Sequence, residues 1–533
     1  MNRSCGILLP LTALPSDHGI GTMGKEARRF ADFLARARQG CWQVLPLGPT
    51  SYGDSPYQSF STFAGNPYLI DLELLAEEGL LRPEEYASID WGEEPTQIDY
   101  GKVYENRFAV LKKAYARGWA RDESAVAEFS EENREWLPDY ALFMALKAHF
   151  GQKCWIEWPD EGARLHKRAA LTAYARLLRE DVQFYTYLQF LFFKQWEALR
   201  AYVDEKGIAI IGDLPIYVAL DSADVWAHPE LFELDEENLP TAVAGVPPDY
   251  FSADGQLWGN PLYRWDEHEK TGFAWWIARV RGAMRLYDRI RLDHFRGFAS
   301  YYSIPYGEET ARNGSWKKGP GMALFSALEN ALGPVEFLAE DLGTLTPDVT
   351  ELLEATGYAG MRVLQFAFGG DDKNPYLPHN HIPHCVVYTG THDNNTVSGW
   401  LETADARERE RAYRYLNLSD WEGLGKGLAR GALSSVAELA VAQMQDYLEL
   451  PDFCRTNTPS KLGGNWRWRM WKEAPSDGLA DYLAYMAELY GRALPQKEIP
   501  AEPEGAGEAA GQTKPAEERL EKTGRAQTDG RKQ

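Results

Sequence analysis

Short apolar, β-branched runs recur along the chain, at residues 6–11, 41–47, 208–218, 289–298, 335–343, 361–368 and 385–393, with a shorter eighth candidate at 453–457. Such runs predict strands buried on both faces, the signature of a parallel sheet. Helical periodicity lies between several of them. In residues 26–38, Phe30, Phe33, Leu34 and Ala37 fall on one face at 3.6-residue spacing. Strand–helix alternation implies parallel strands joined by crossover helices, and about eight such units close into a (β/α)8 TIM barrel. A doubly wound open sheet is the competing arrangement. The predicted barrel occupies residues 1–494, with large helical and loop-rich insertions. A helical subdomain is expected at about 71–180, and a Pro-, Gly- and aromatic-rich subdomain at 219–288 over the face where barrel sites lie. From residue 495 the composition turns to Ala, Glu, Gly, Lys, Pro and Gln, which predicts a disordered tail over 495–533.

Composition narrows the function classes. A formal net charge of -23 repels nucleic acid and anionic membrane surfaces, so neither is an expected partner. No apolar run approaches the ~18 residues a membrane span needs. The five cysteines, Cys5, Cys41, Cys154, Cys385 and Cys454, are odd in number and never in CxxC spacing. They read as reduced thiols of a cytoplasmic protein, with no disulfide framework, metal site or cofactor implied. Aromatic residues make up 13%. Their rings suit the apolar faces of sugars, and equally a large aromatic core.

The candidate chemistry sits where predicted strands end, the face on which barrel enzymes carry catalytic groups. Asp213 ends the third strand, Arg291, Asp293 and His294 the fourth, Glu340 and Asp341 the fifth, and His392 and Asp393 the seventh. Any one carboxylate after a strand reads first as a helix cap or ion pair, and Asp341 fits that reading. Several of them, each after an apolar strand, are brought to one pocket by barrel closure. Retaining glycoside chemistry needs two carboxyl groups about 5–5.5 Å apart, one to attack the anomeric carbon and one to protonate the leaving oxygen. Neighbouring strands lie about 4.8 Å apart, which makes Asp293 and Glu340 a suitable pair. Arg291 shares a strand face with Asp293 and is expected to keep it ionised, as a nucleophile requires. Glu340 has to begin protonated.

Arg291-Leu292-Asp293-His294-Phe295-Arg296-Gly297, Ala339-Glu340-Asp341-Leu342-Gly343 and Thr391-His392-Asp393-Asn394-Asn395 occur in this order. They resemble the amylomaltases, the 4-α-glucanotransferases of glycoside hydrolase family 77. Residues 53–61, 212–218, 245–251, 255–263 and 464–469 carry further motifs of that family, so the resemblance spans about residues 5–490. It implies a (β/α)8 barrel in which Asp293 is the nucleophile, Glu340 the general acid/base and Asp393 the third carboxylate, holding the reacting sugar's hydroxyls. It implies that Tyr57, Asp213, Arg291, His294, His392 and Asn465 contact sugar, with Tyr57 stacking on the donor ring. Asp249, Tyr250, Phe251 and Trp258 then belong to a loop over the glucan groove. The implied substrates are α-1,4-glucans, with glucose or maltooligosaccharides as acceptors and no cofactor. At Ser460-Lys461 the chain departs from the family's usual Gly-Thr. An α-1,4-glucan hydrolase using the same carboxylates is the nearest alternative reading, and a non-catalytic glycan-binding barrel a more distant one. The Gly-Val-Pro-Pro-Asp-Tyr-Phe segment at 245–251 favours transfer over hydrolysis.

Overall fold

A computed structural model describes residues 3–495 except Tyr52, Asp249, Tyr250, Phe251, Thr344 and Leu462. The three expected groove residues Asp249, Tyr250 and Phe251, and the expected tail beyond residue 495, therefore lie outside the described residues. Twelve strands are described: β1 (Ser4–Leu8), β2 (Cys41–Gln43), β3 (Ala209–Leu214), β4 (Ala242–Val246), β5 (Gln256–Pro261), β6 (Arg289–Leu292), β7 (Ser300–Pro305), β8 (Ser315–Lys318), β9 (Phe337–Ala339), β10 (Ala359–Val363), β11 (Cys385–Tyr388) and β12 (Leu439–Gln443). Eight of them form a closed parallel barrel in the order β1-β12-β11-β10-β9-β6-β3-β2. The continuous apolar runs are explained by this closure. In β11 and β12 every residue is buried, with one face toward the barrel interior and the other toward the helices. Leu8, Ile211, Leu338, Met361, Val386 and Val441 fill the interior as part of one buried cluster. The helix Lys25–Arg36 lays Phe30 edge-on against Trp42 of β2, at 5.0 Å between ring centres.

One strand differs from the sequence reading. The eighth barrel strand is Leu439–Gln443, whereas residues 453–457 are not extended sheet. Asp452–Cys454 is a 3-10 turn with Phe453 76% exposed. The sequence Leu439-Ala440-Val441-Ala442-Gln443 is rich in alanine and locally favours helix. It becomes a strand because closure pairs it with β1 on one side and β11 on the other.

The long connection after β2 is tied to the helix Arg179–Glu205 by two glutamine side chains that act as short ladder segments. Gln189 accepts from Gly65 N at 2.7 Å and donates to Gly65 O at 2.9 Å. Gln195 does the same with Asp71, at 2.7 and 3.1 Å. A Cβ on Gly65 would lie 2.0 Å from the Phe192 ring, so only glycine permits this approach. The loop bearing Tyr57 is thus anchored at its far end to a rigid helix. A separate antiparallel sheet, in the order β5-β4-β7-β8, carries Trp258 on β5. Among the described residues no helix is long and apolar enough to cross a membrane. The five cysteines are unpaired, and four of them are buried.

Asp446, just after β12, braces the C-terminal end of the barrel strands. It accepts from Thr389 Oγ1 at 2.6 Å and from Val397 N at 2.8 Å. Burial pushes its carboxyl up to about 7, from an ordinary 3.8. Because the folded value lies above the unfolded one, this group's stabilising contribution is complete below about pH 4. It is lost as pH rises through 7. Asp446→Asn keeps the shape, and its amide can still bond both partners. Between pH 5 and pH 8, wild type is therefore expected to lose about 3 kcal/mol relative to Asp446→Asn. That figure follows from about 1.36 kcal/mol for every tenfold fall in proton concentration, up to the folded value near 7. Urea unfolding of the two proteins at both pH values checks this; parallel changes would show that the carboxyl is not desolvated.

Candidate active site

Strand register assembles the site. Asp213 on β3 pairs across to Arg291 on β6, and Leu292 on β6 pairs across to Ala339 on β9. One step further along, Asp293 and Glu340 leave neighbouring strands side by side. Glu340 N donates to Leu292 O at 3.1 Å, and Phe295 N donates to Glu340 O at 3.1 Å, so the two chain ends stay locked together past the sheet. Between them the backbone bends sharply at His294, whose φ of 48° is left-handed for a residue with a side chain. The bend aims the His294 N–H at Glu340 Oε2, 2.7 Å away. Such strain persists only where surrounding structure holds it.

Arg291 is the hub. Its side chain is 1% exposed. Nη1 donates to Asp213 Oδ2 at 2.6 Å and reaches Asp293 Oδ1 at 3.5 Å, while Nη2 stands 2.9 Å from Glu340 Oε2. Burial opposes the guanidinium's charge, but Asp213 and Glu340 outweigh it and hold Arg291 above its ordinary range. The expectation that Arg291 keeps Asp293 low is not met. Burial first, and then the adjacent Glu340 carboxylate, push the Asp293 carboxyl well above the usual range. The reason is geometric: the guanidinium is spent at short range on Asp213 and Glu340 and touches Asp293 only at its margin.

Tyr57 donates its hydroxyl to Asp213 Oδ2 at 2.6 Å. Burial, and next the Asp213 charge, hold that phenol well above its ordinary value, so it stays a donor. One face of its ring lies on His392, with centroids 5.1 Å apart and planes 16° apart, and Trp466 is 5.9 Å away. The ring expected to stack on sugar already stacks on histidine. Trp258 meets His294 edge-on at 4.9 Å, beside Asp293 in the chain. Burial lowers His294 to about 4, so its imidazole is neutral near pH 7.

Asp393 lies within the connection after β11. His392 Nε2 stands 3.3 Å from Asp393 Oδ1, and Asn457 Nδ2 donates to that same oxygen at 2.6 Å. Asn465, by contrast, spends its side chain inside its own loop: it accepts from Thr458 N at 2.9 Å and donates to Lys461 O at 2.9 Å. Asp341 points away from the cluster, accepting from Met361 N at 2.6 Å and pairing with Arg362 at 3.1 Å. Among the described residues no group of His, Cys, Asp or Glu is arranged to hold a metal ion.

Sequence pattern alone does not reach Asn457, Arg455 and Asn260. Buried Asn260 accepts from Gln58 Nε2 at 3.1 Å and donates to Val218 O at 2.8 Å, joining the Tyr57 loop to the connection after β3. Asn457 and Arg455 fall within the segment whose pattern suggests a strand. Placing the eighth strand at Leu439–Gln443 puts them on its C-terminal connection, where barrel sites are built.

Two carboxyls leave adjacent strand ends with one buried arginine in reach of both, the kind of pair that glycoside chemistry needs. Comparison with known proteins agrees. The family model described as 4-alpha-glucanotransferase, glycoside hydrolase family 77, matches residues 9–473. A 4-alpha-glucanotransferase of Clostridium butyricum is 48% identical over 484 residues, covering 90% of this chain and 99% of that protein. One from Thermus thermophilus is 50% identical over 482 residues, covering 88% and 95%. Among solved structures, an amylomaltase from Streptococcus agalactiae in complex with acarbose is 41% identical and superposes with a TM-score of 0.90, covering 92% of this chain and all of that one. With its closed barrel, its clustered carboxylates and these relatives along nearly its whole folded length, the chain belongs to glycoside hydrolase family 77, the 4-α-glucanotransferases.

Proposed function

We propose that this 4-α-glucanotransferase works by double displacement, with Asp293 as nucleophile, Glu340 as acid/base and Asp393 as the carboxylate that holds the reacting sugar. The observation that carries this reading is the single buried Arg291 reaching Asp213, Asp293 and Glu340 at once. An Asp293 oxygen attacks the anomeric carbon of an α-1,4-glucan as Glu340 passes a proton to the departing 4-oxygen, leaving a glycosyl ester on Asp293. Glu340 then takes the proton of an acceptor's 4-hydroxyl, and that oxygen displaces Asp293. The pair must therefore share one proton, which moves to Glu340 before the first step. Burial and the neighbouring Glu340 charge, which raise the Asp293 carboxyl, keep a proton in reach of the pair. Asp213 Oδ1, Arg291 Nε and His392 Nδ1 are buried without a protein hydrogen bond among the described residues. Donors are maltodextrins, and acceptors are glucose or maltooligosaccharides. The unpaired thiols suit the reducing cytoplasm.

Water at about 55 M competes with the acceptor, so transfer prevails only through an oriented sugar, an advantage worth up to the equivalent of ~10⁵ M or more. Fed maltotriose alone, the enzyme is expected to release glucose and build a ladder of longer maltodextrins while total reducing ends stay nearly constant, since each bond broken is replaced by one formed. Following reducing ends and chain lengths together checks this. Reducing ends that climb steadily with only short products would mean hydrolysis.

A further inference from the structure

We propose that Asn457 is a positioning residue for Asp393, held in place by Arg455; the proposal rests on the reading of Asp393 as the sugar-holding carboxylate. The segment 455–457 leaves the turn after β12 and wraps around the end of the β11 connection. Arg455 Nη2 donates to Asp393 O at 2.8 Å and its Nε donates to Asn457 O at 2.8 Å. Asn457 N donates to His392 O at 3.1 Å. Two of these bonds lash the two loops together and one braces the segment on itself, while a fourth, from Asn457 Nδ2 to Asp393 Oδ1 at 2.6 Å, reaches the carboxylate itself.

The need for such a bond follows from where Asp393 sits. Its side chain is 39% exposed, on a loop rather than a strand, so packing alone does not choose its rotamer. A carboxylate that must meet a distorted sugar ring has to be fixed before the ring arrives, and about 1 Å of misplacement costs ~10²-fold in rate. Both protein contacts, from Asn457 and His392, fall on Oδ1. Among the described residues none falls on Oδ2, the oxygen left to receive hydroxyls. The donor is a neutral amide, so it orients the carboxylate without cancelling its charge; a short hydrogen bond to an ionised acceptor is also among the stronger ones. Among the described residues Arg455 hydrogen-bonds backbone oxygens of the two segments and not the carboxylate itself.

The experiment compares Asn457→Ala, Asn457→Asp, Asp393→Asn and the double variant Asp393→Asn/Asn457→Ala in maltotriose disproportionation, with a melting curve for each. Asn457→Ala is expected to lower kcat by ~10–100-fold with KM changed less than about 3-fold, because the oriented oxygen acts mainly in the transition state. Asn457→Asp keeps the shape and replaces the donor with an acceptor, so it is expected to fall at least as far. A residue that only fills space would be rescued by that isosteric change. With Asp393→Asn in place there is no carboxylate left to orient, so adding Asn457→Ala is expected to cost less than about 3-fold more. Wild-type kcat in Asn457→Asp, or losses that multiply in the double variant, overturns the positioning role while leaving Asp393 in its own. Full turnover by Asp393→Asn removes the role of Asp393, and this one with it.

Discussion

Asp293→Asn and Glu340→Gln are each expected to lose at least about 10³-fold in maltotriose turnover while remaining folded. The two groups act as one unit, so either loss alone disables most of the catalysis. An asparagine at 293 cannot form the glycosyl ester. A glutamine at 340 can neither protonate the departing oxygen nor relieve the acceptor of its proton. The stability readout separates chemistry from collapse, and its sign follows from the geometry. Burial and the Glu340 charge push Asp293 up, so an ionised Asp293 opposes folding. The group's favourable contribution is present at low pH and lost as pH rises, which makes Asp293→Asn equal or superior to wild type in melting temperature, increasingly so toward alkaline pH. Glu340→Gln instead gives up the charge of an ion-pair contact of 2.9 Å with Arg291, while its amide oxygen can still accept from His294 N–H, and is expected to melt below wild type. Near-normal turnover in either purified variant would remove that residue from its assigned role.

Arg291→Ala is expected to be the most damaging single change to stability in the barrel. It leaves the Asp213, Asp293 and Glu340 carboxyls crowded at adjoining strand ends with no cation among them. Breaking a buried charge cluster by removing one partner costs about 3–5 kcal/mol, because the charges left behind remain desolvated. The deficit should shrink on acidification, since protonating the stranded carboxylates removes the repulsion. Urea unfolding of wild type and variant at pH 7 and pH 5 measures it. Arg291→Lys is not a conservative repair. One ammonium cannot reproduce a planar fork whose two nitrogens serve Asp213 on one side and Glu340 on the other. It is expected to recover part of the stability and little of the activity. A loss below about 1 kcal/mol for Arg291→Ala at pH 7 would mean that the cluster is not held together by charge.

Local pattern carries the strand positions, because residues buried on both faces leave continuous apolar runs that need no knowledge of neighbours. The same runs place Asp213, Asp293, Glu340 and Asp393 at or just past strand ends, the face on which barrel sites are built. The motifs around them are dense enough to identify the family from the order of residues alone. Pattern fails at Leu439–Gln443, where alanines suppress the strand signal and only the two open edges of β1 and β11 make the segment extended. That failure hides Arg455 and Asn457, whose place in the site depends on which segment closes the barrel. Tertiary structure alone also decides how one guanidinium is divided among three carboxylates, and so where the raised proton affinity falls. Spacing places Arg291 and Asp293 on one face, but charge follows distance and burial, and those are set by the register of β3, β6 and β9. The stacking of Tyr57 on His392 has the same origin: the two lie 335 residues apart, and no local rule relates them until the barrel closes.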